Sequence, residues 1–137
     1  MIDRLFLDTT FALAIHNSRD QWHAKAVELL PRCERAQVWV SEAVLTEVAD
    51  GMATRNRSAA VRFIRQAYES NDVQVIPHDP VLFQESIALY ESRPDKEWGL
   101  TDCISFRVMR RHGLTVALSA DHHFVQAGFR ALMLEEA

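Results

Sequence analysis

Short apolar runs alternate with longer amphipathic stretches along the whole chain. Arg4-Leu5-Phe6-Leu7 runs into Asp8, Val38-Trp39-Val40 into Ser41, and Val73-Gln74-Val75-Ile76 into Pro77. Thr115 to Leu118 runs into Ser119-Ala120-Asp121. Each has strand length and is closed by turn or capping residues. Between them the apolar spacing lengthens to that of a helix. Phe11 to Ile15 follows Thr9 and Thr10, which can cap it. Asp20 opens a second helix with Trp22, Ala26, Leu29 and Leu30 on its apolar side, interrupted by Pro31. After Ser41, a good cap, Val44, Leu45, Val48 and Met52 form a stripe, and Ala60, Phe63, Ile64 and Ala67 form another over residues 58–69. Asp79-Pro80 pairs a cap with a first-turn proline and opens a helix through Leu82, Phe83, Ile87 and Tyr90. Residues 99–114 form the next helix, with Phe106 and Met109 on one face, Ile104 and Val108 beside them, and Gly113 as the stop. Asp121 to Ala127 is a short helix ending at Gly128, and Ala131 to Leu134 is expected to be a last strand.

Strands alternating with helices imply a parallel sheet covered on both faces. The expected fold is therefore α/β, a three-layer α/β/α arrangement around a central, mostly parallel sheet of four or five short strands. No repeat, linker or low-complexity tract breaks the pattern, so residues 1–137 are read as a single domain. Right-handed crossovers place every strand's C-terminal end on one edge, where open sheets of this kind bind ligands. The order of the strands is not readable from the pattern.

Composition narrows the function classes. The chain of 137 residues is 48% hydrophobic and 25% charged, which is globular. No apolar run reaches the roughly 18 residues that span a bilayer, so no membrane partner is expected. MIDRLFLD carries Asp3 and no long apolar segment, so no secretory signal is expected. Cys33 and Cys103 supply neither a disulfide framework nor a CxxC pair, which favours a reducing cytoplasm and reads both as small core residues. The net charge of −4 argues against a general nucleic-acid coat protein but not against local contacts from arginine clusters. With only Gly51, Gly99, Gly113 and Gly128, no phosphate-cradling or dinucleotide-binding glycine motif can be written.

Several acids fall near the ligand-binding edge. Asp8 ends the first strand, Asp121 lies just beyond the fourth, Asp102 begins the helix leading into the fourth, and Glu47 sits in the second turn of the helix after the second. Topology places Asp8 and Asp121 together; joining Asp102 and Glu47 to them requires a tertiary arrangement. Singly, each acid suits a helix start or a solvated flank, and Glu42 flanks its apolar stripe as well as Glu47 does. Together, three or four carboxylates at one edge must be protonated or share a cation. A hard divalent ion accepts several carboxylates and also bridges to substrate phosphates. Thr9, Thr101 and Ser119 flank these acids and can add hydroxyls near the ion or toward a phosphate.

LFLDTTFALA, SEAVLTEV, GLTDCISFRVMRRHG and ALSADHHFVQAGF, in this order and spacing, resemble the PIN domain family, and more narrowly the small PIN toxins of bacterial VapBC toxin–antitoxin pairs. The resemblance covers nearly the whole chain, and its most specific part is LTDCISFRVM followed by ADHHFVQAGF. It implies an acidic quartet at Asp8, Glu47, Asp102 and Asp121, and so selects Glu47 over Glu42. It implies a Mg²⁺- or Mn²⁺-dependent endoribonuclease, with Asp8, Asp102 and Asp121 as metal ligands and Glu47 as a ligand or water-positioning base. It also implies a cognate antitoxin, an RNA substrate and a homodimer. Asp20 and His23 match a recurring D-x-x-H, read as structural.

The same residues bear on other chemistries. His122-His123 beside Asp121 invites a transition-metal site, but adjacent histidines seldom share an ion on a helix, so one is expected solvated and the other packed. His112, at a helix C-terminus, is expected to profit from the dipole there. Arg55, Arg57, Arg62, Arg65, Arg107, Arg110 and Arg111 are candidate phosphate contacts, although charge runs are usually solvated faces. Aspartyl-phosphate chemistry at Asp8 would need a lysine near the phosphoryl group, and Lys25 and Lys96 fall in a helix and a loop. The remaining alternative is an inactive PIN-like module that only binds a partner; the cost of keeping mutually repelling acids argues against it.

Overall fold

The computed structural model describes residues 2–136. Five strands form one sheet: β1 (Arg4–Leu7), β2 (Gln37–Ser41), β3 (Val73–Ile76), β4 (Val116–Leu118) and β5 (Arg130–Ala131). Their order is β3-β2-β1-β4-β5 and every neighbouring pair is parallel. Phe6 faces Trp39 on one side and Ala117 on the other, and Val40 faces Val75. The chain works outward from β1 to β3 and then returns to β4, so its direction of travel reverses between β1 and β4. That reversal opens a crevice at the C-terminal ends of these two strands. Asp8 N–H donates to the carbonyl of Leu118 at 3.2 Å, which fixes the ends of β1 and β4 side by side.

Seven helices accompany the sheet: α1 (Thr9–Ile15), α2 (His23–Glu34), α3 (Glu42–Met52), α4 (Arg57–Glu69), α5 (Pro80–Ser92), α6 (Leu100–Arg111) and α7 (His122–Gln126). The period-two alternation of β1 divides the core. Leu5 packs with Phe11, Ala14 and Ala26 of α1 and α2, whereas Phe6 packs with residues of α6 and α7. Phe106 anchors the second side, with its ring 5.0 Å from Trp98, 5.0 Å from Phe124 and 5.8 Å from Phe129. A buried aromatic of this kind costs about 3–5 kcal/mol to truncate. Gly113 and Gly128, at φ 65° and 97°, end α6 and α7 in the left-handed conformation that glycine tolerates best. The N–H groups after them close back on the helices, Leu114 to Met109 at 2.8 Å and Phe129 to Phe124 at 2.9 Å.

Several local expectations are corrected. Pro31 does not interrupt α2, which runs through it to Glu34. The proline lies in the last turns on the solvent side, and the helix tolerates the missing N–H because Val27, four residues back, is also exposed. Asp20 does not cap α2 directly but holds the preceding turn, accepting from Trp22 N–H at 2.8 Å. The N-cap of α1 is Asp8 rather than Thr9 or Thr10. Beyond Ala131 the backbone turns into a single 3₁₀ turn, Leu132–Leu134, so the last strand is only Arg130–Ala131. His112 is not favoured as a cation: partial burial and the neighbouring Arg111 and Arg4 push its pKa down. Its ring lies 4.6 Å from that of Trp39, so it serves as packing.

Candidate metal centre

Asp8 is set by the backbone before any side chain acts. It follows β1 at φ −98°, ψ 157°, so its side chain projects from the sheet edge as α1 begins. Only 5% of the residue is exposed. Its Oδ2 accepts from the Thr10 hydroxyl at 2.8 Å and the Ser119 hydroxyl at 2.7 Å. Each hydroxyl also accepts from the segment after β4: Thr10 Oγ1 from Ala120 N–H at 2.9 Å, and Ser119 Oγ from Asp121 N–H at 2.9 Å. Two hydroxyls therefore tie the ends of β1 and β4 around one carboxylate. No lysine or arginine pairs with Asp8 among the described residues. Burial pushes its pKa up to about 6, outweighing the lowering by Ser119 and Thr10, and the nearby Asp102 carboxylate adds to the rise.

Asp102 lies in the first turn of α6, where its Oδ2 accepts from Gly99 N–H at 3.1 Å. This is the helix-start role its position suggests. Yet the same oxygen lies 3.0 Å from His123 Nδ1, and that nitrogen lies 3.2 Å from Asp121 Oδ1. Asp121 caps α7 by accepting from His123 N–H at 2.9 Å. Burial raises the pKa of Asp102, and the Asp121 charge contributes, against the lowering by Gly99 and His123. Glu47, on an exposed position of α3, accepts from the Thr9 hydroxyl at 2.6 Å. Thr101 lies one residue before Asp102 and lines a cleft with Glu47.

Thus Asp8, Asp102 and Asp121 meet at the β1–β4 crevice, with Ser119 bonded directly to Asp8. Glu47 joins through Thr9, one residue after Asp8. Glu42 is employed elsewhere: its carboxylate accepts from Tyr68 O–H at 2.5 Å and from His78 N–H at 2.7 Å, tying α3 to α4 and to the residues after β3. Asp20 and His23 hold local structure, with His23 Nδ1 2.7 Å from the carbonyl of Ala14. Among the arginines, Arg107 and Arg111 are bonded to Glu85, and Arg110 donates to the carbonyl of Ala127. Sequence reasoning left two participants out of the site: Thr10, read as a cap, and His123, considered for a transition metal and set aside as solvated or packed. Thr10 stands two residues beyond Asp8, within reach of its carboxylate. His123 stands two residues beyond Asp121, at a helix start. His122 is solvated as expected, but its neighbour packs against carboxylates rather than apolar groups.

The donor set fits a divalent cation. Among the described residues no lysine or arginine pairs with these three acids, Asp8 is nearly fully buried and held by hydroxyls, and ligand atoms of Asp121, His122 and His123 lie within 4.8 Å of one another. A hard cation satisfies such a group better than protonation does at neutral pH.

A family model for the PIN domain matches residues 5–130. The chain belongs to the PIN domain family. Among solved structures, this PIN domain is similar to Mycobacterium tuberculosis VapC20, described as a sarcin–ricin loop cleaving toxin. The two share 27% identity at a TM-score of 0.81, over 91% of this chain and 95% of that one. FitAcB from Neisseria gonorrhoeae (18% identity, TM-score 0.60, 93% and 94% covered) and FitAB bound to an IR36 DNA fragment (18%, 0.61, 97% and 98%) share the fold. None of the curated proteins matches the chain significantly. Among the described residues, no helix of this PIN domain is long and apolar enough to cross a membrane.

Proposed function

We propose that this PIN domain is a divalent-metal-dependent endoribonuclease that hydrolyses RNA phosphodiester bonds, and that it is the toxin of a toxin–antitoxin pair. The observation that carries the reading is Asp8, a buried carboxylate with no lysine or arginine partner among the described residues and with the Asp102 carboxylate nearby at the β1–β4 crevice. Asp8, Asp102 and Asp121 hold the ion, Mg²⁺ or Mn²⁺. When bound, the ion supplies the charge that activates a water and stabilises the leaving oxygen. Glu47, exposed and steadied by Thr9, orients the attacking water and takes its proton. Ser119 and Thr10 keep Asp8 aimed at the crevice, and Thr101 offers a hydroxyl to the scissile phosphate. Arg55, Arg62 and Arg65 are exposed and make no ion pair among the described residues, which leaves them free for RNA phosphates.

The similarity to VapC20, described as a sarcin–ricin loop cleaving toxin, supports this reading over most of both chains. An antitoxin partner accords with the likeness to VapC20, described as a toxin. It also has a candidate seat, a groove of about 350 Å³ lined by Leu30 and Cys33 of α2, Phe63 and Ala67 of α4, and Val38 and Val73 of the sheet. We expect a homodimer acting in the cytoplasm.

The test is cleavage of RNA by the purified protein with Mg²⁺ or Mn²⁺, with EDTA, and in Asp8→Asn and Asp102→Asn. Cleavage that persists under EDTA and in both variants contradicts the mechanism. Antitoxin binding without cleavage under any divalent ion would assign the inactive partner-binding module instead. Growth arrest on expression, relieved by a small co-encoded protein, separates a toxin from a housekeeping nuclease.

A further inference from the structure

We infer that Nδ1 of His123 is itself a ligand of the divalent ion, beside Asp102 and Asp121, which makes the centre a mixed nitrogen–oxygen site that prefers Mn²⁺ to Mg²⁺. The inference rests on the metal-dependent reading above. Its starting point is a contrast among the histidines. His16 and His23 place Nδ1 2.7 Å from backbone carbonyls, those of Ala12 and Ala14, where it does structural work. His123 instead places Nδ1 between two carboxylate oxygens of the candidate centre, 3.0 Å from Asp102 Oδ2 and 3.2 Å from Asp121 Oδ1. Adjacent ligands of an octahedral ion with bonds near 2.1 Å stand about 3 Å apart. His123 Nδ1 thus stands at that spacing from each of the two carboxylate oxygens.

Charge and burial favour the same assignment. Asp8, Asp102 and Asp121 already repel one another, so a further carboxylate would add to the strain, whereas a neutral imidazole adds a donor and no charge. The side chain of His123 is 16% exposed and held by α7, so little freedom is lost on coordination. His122 is the rival, since one ligand atom from each of Asp121, His122 and His123 lies within 4.8 Å of the others. Its side chain is 67% exposed, however, and its Nδ1 is 3.7 Å from Asp121 Oδ1. Its ring stacks outside that of His123, 4.6 Å away, on the solvent side. An imidazole in the shell shifts preference from Mg²⁺ toward first-row transition ions.

The experiment uses Mn²⁺ alone with the full chain and needs no substrate. Pulsed electron paramagnetic resonance of the Mn²⁺ complex is expected to show nitrogen hyperfine coupling from imidazole in the wild type and in His122→Ala, but not in His123→Ala. Calorimetric titration is expected to give about tenfold weaker Mn²⁺ binding in His123→Ala, with a smaller change for Mg²⁺. His123→Asn keeps a hydrogen-bond donor toward the two acids without an imidazole. It should lose the coupling and the Mn²⁺ preference with its thermal melt unchanged, which a merely positioning histidine would not do. Mn²⁺ bound with oxygen coupling only, or nitrogen coupling that survives in His123→Ala, overturns the inference and leaves the metal centre standing. Absence of Mn²⁺ binding in the wild type overturns the centre as well.

Discussion

Glu85 and Asp8 are both carboxylates on packed elements, and their surroundings are opposite. Glu85 of α5 sits between Arg107 and Arg111 of α6, with the Arg111 contact at 2.8 Å, and these guanidinium groups hold its pKa below the usual range. Asp79 approaches Arg111 at 3.9 Å, so the α5–α6 seam is a closed set of opposite charges. Asp8, far more buried, accepts from two hydroxyls and has no lysine or arginine partner among the described residues, and its pKa rises to about 6. The protein therefore neutralises an acid in the wet seam and leaves one unneutralised in the dry crevice. An acid that has a partner is explained by the fold; one that lacks a partner where desolvation costs most points to a ligand from outside.

Substitutions at the crevice should separate activity from folding most sharply. Asp8→Asn and Asp102→Asn are expected to lower RNA cleavage by at least about 10³-fold, since an ion supplies several kcal/mol of charge stabilisation. Circular dichroism and thermal melting should show the fold retained. Next in size is a pH effect in the ion-free protein. Asp8 has a folded pKa of about 6 against an ordinary 3.8, so native Asp8 binds more protons than the unfolded chain between these values. Its contribution to stability is present below the lower value and is lost as pH rises through the upper one. Relative to Asp8→Asn, the wild type should lose about 3 kcal/mol across this window in urea unfolding with EDTA. Equal pH profiles for the two proteins would mean that the crevice is not dry.

A smaller effect distinguishes the two glutamates of α3. Glu47→Gln should slow cleavage by about 100-fold at unchanged stability, as loss of a positioned base does. Glu42→Gln, in contact with Tyr68 and His78, should leave the rate unchanged. The smallest effect belongs to the seam. Glu85→Gln should change neither the cleavage rate nor the metal response, and should move the melting temperature by no more than about 5 °C, because ion pairs this exposed contribute little.

Where local physics decided the outcome, the sequence was sufficient. The apolar run ending at Asp8, the Ser41 and Asp79-Pro80 caps and the Gly113 and Gly128 stops all read correctly, because each depends on residues within one turn. Pro31 misled because tolerance of a missing N–H depends on which side of α2 faces water. His112 misled because the burial that chiefly depresses its pKa arises where it packs on Trp39 of β2, with Arg111 and Arg4 of β1 adding to the fall. The candidate site divides in the same way. Asp8 and Asp121 were legible from strand ends and sheet topology. Asp102 and the preference for Glu47 over Glu42 required resemblance, since helical spacing allowed both glutamates. His123 was set aside as solvated or packed because its partner Asp102 is 21 residues away and meets it only when α6 and α7 pack together.

The unpaired acids of the crevice need an external cation. The direct measurement is thermal melting near neutral pH, with EDTA and with millimolar Mn²⁺, for the wild type, Glu85→Gln and a variant carrying both Asp8→Asn and Asp102→Asn. Mn²⁺ is expected to raise the melting temperature of the first two by several degrees, as a ligand of the native state must, and to leave the double variant unmoved. An equal rise in the double variant, or no rise in the wild type, would contradict this requirement.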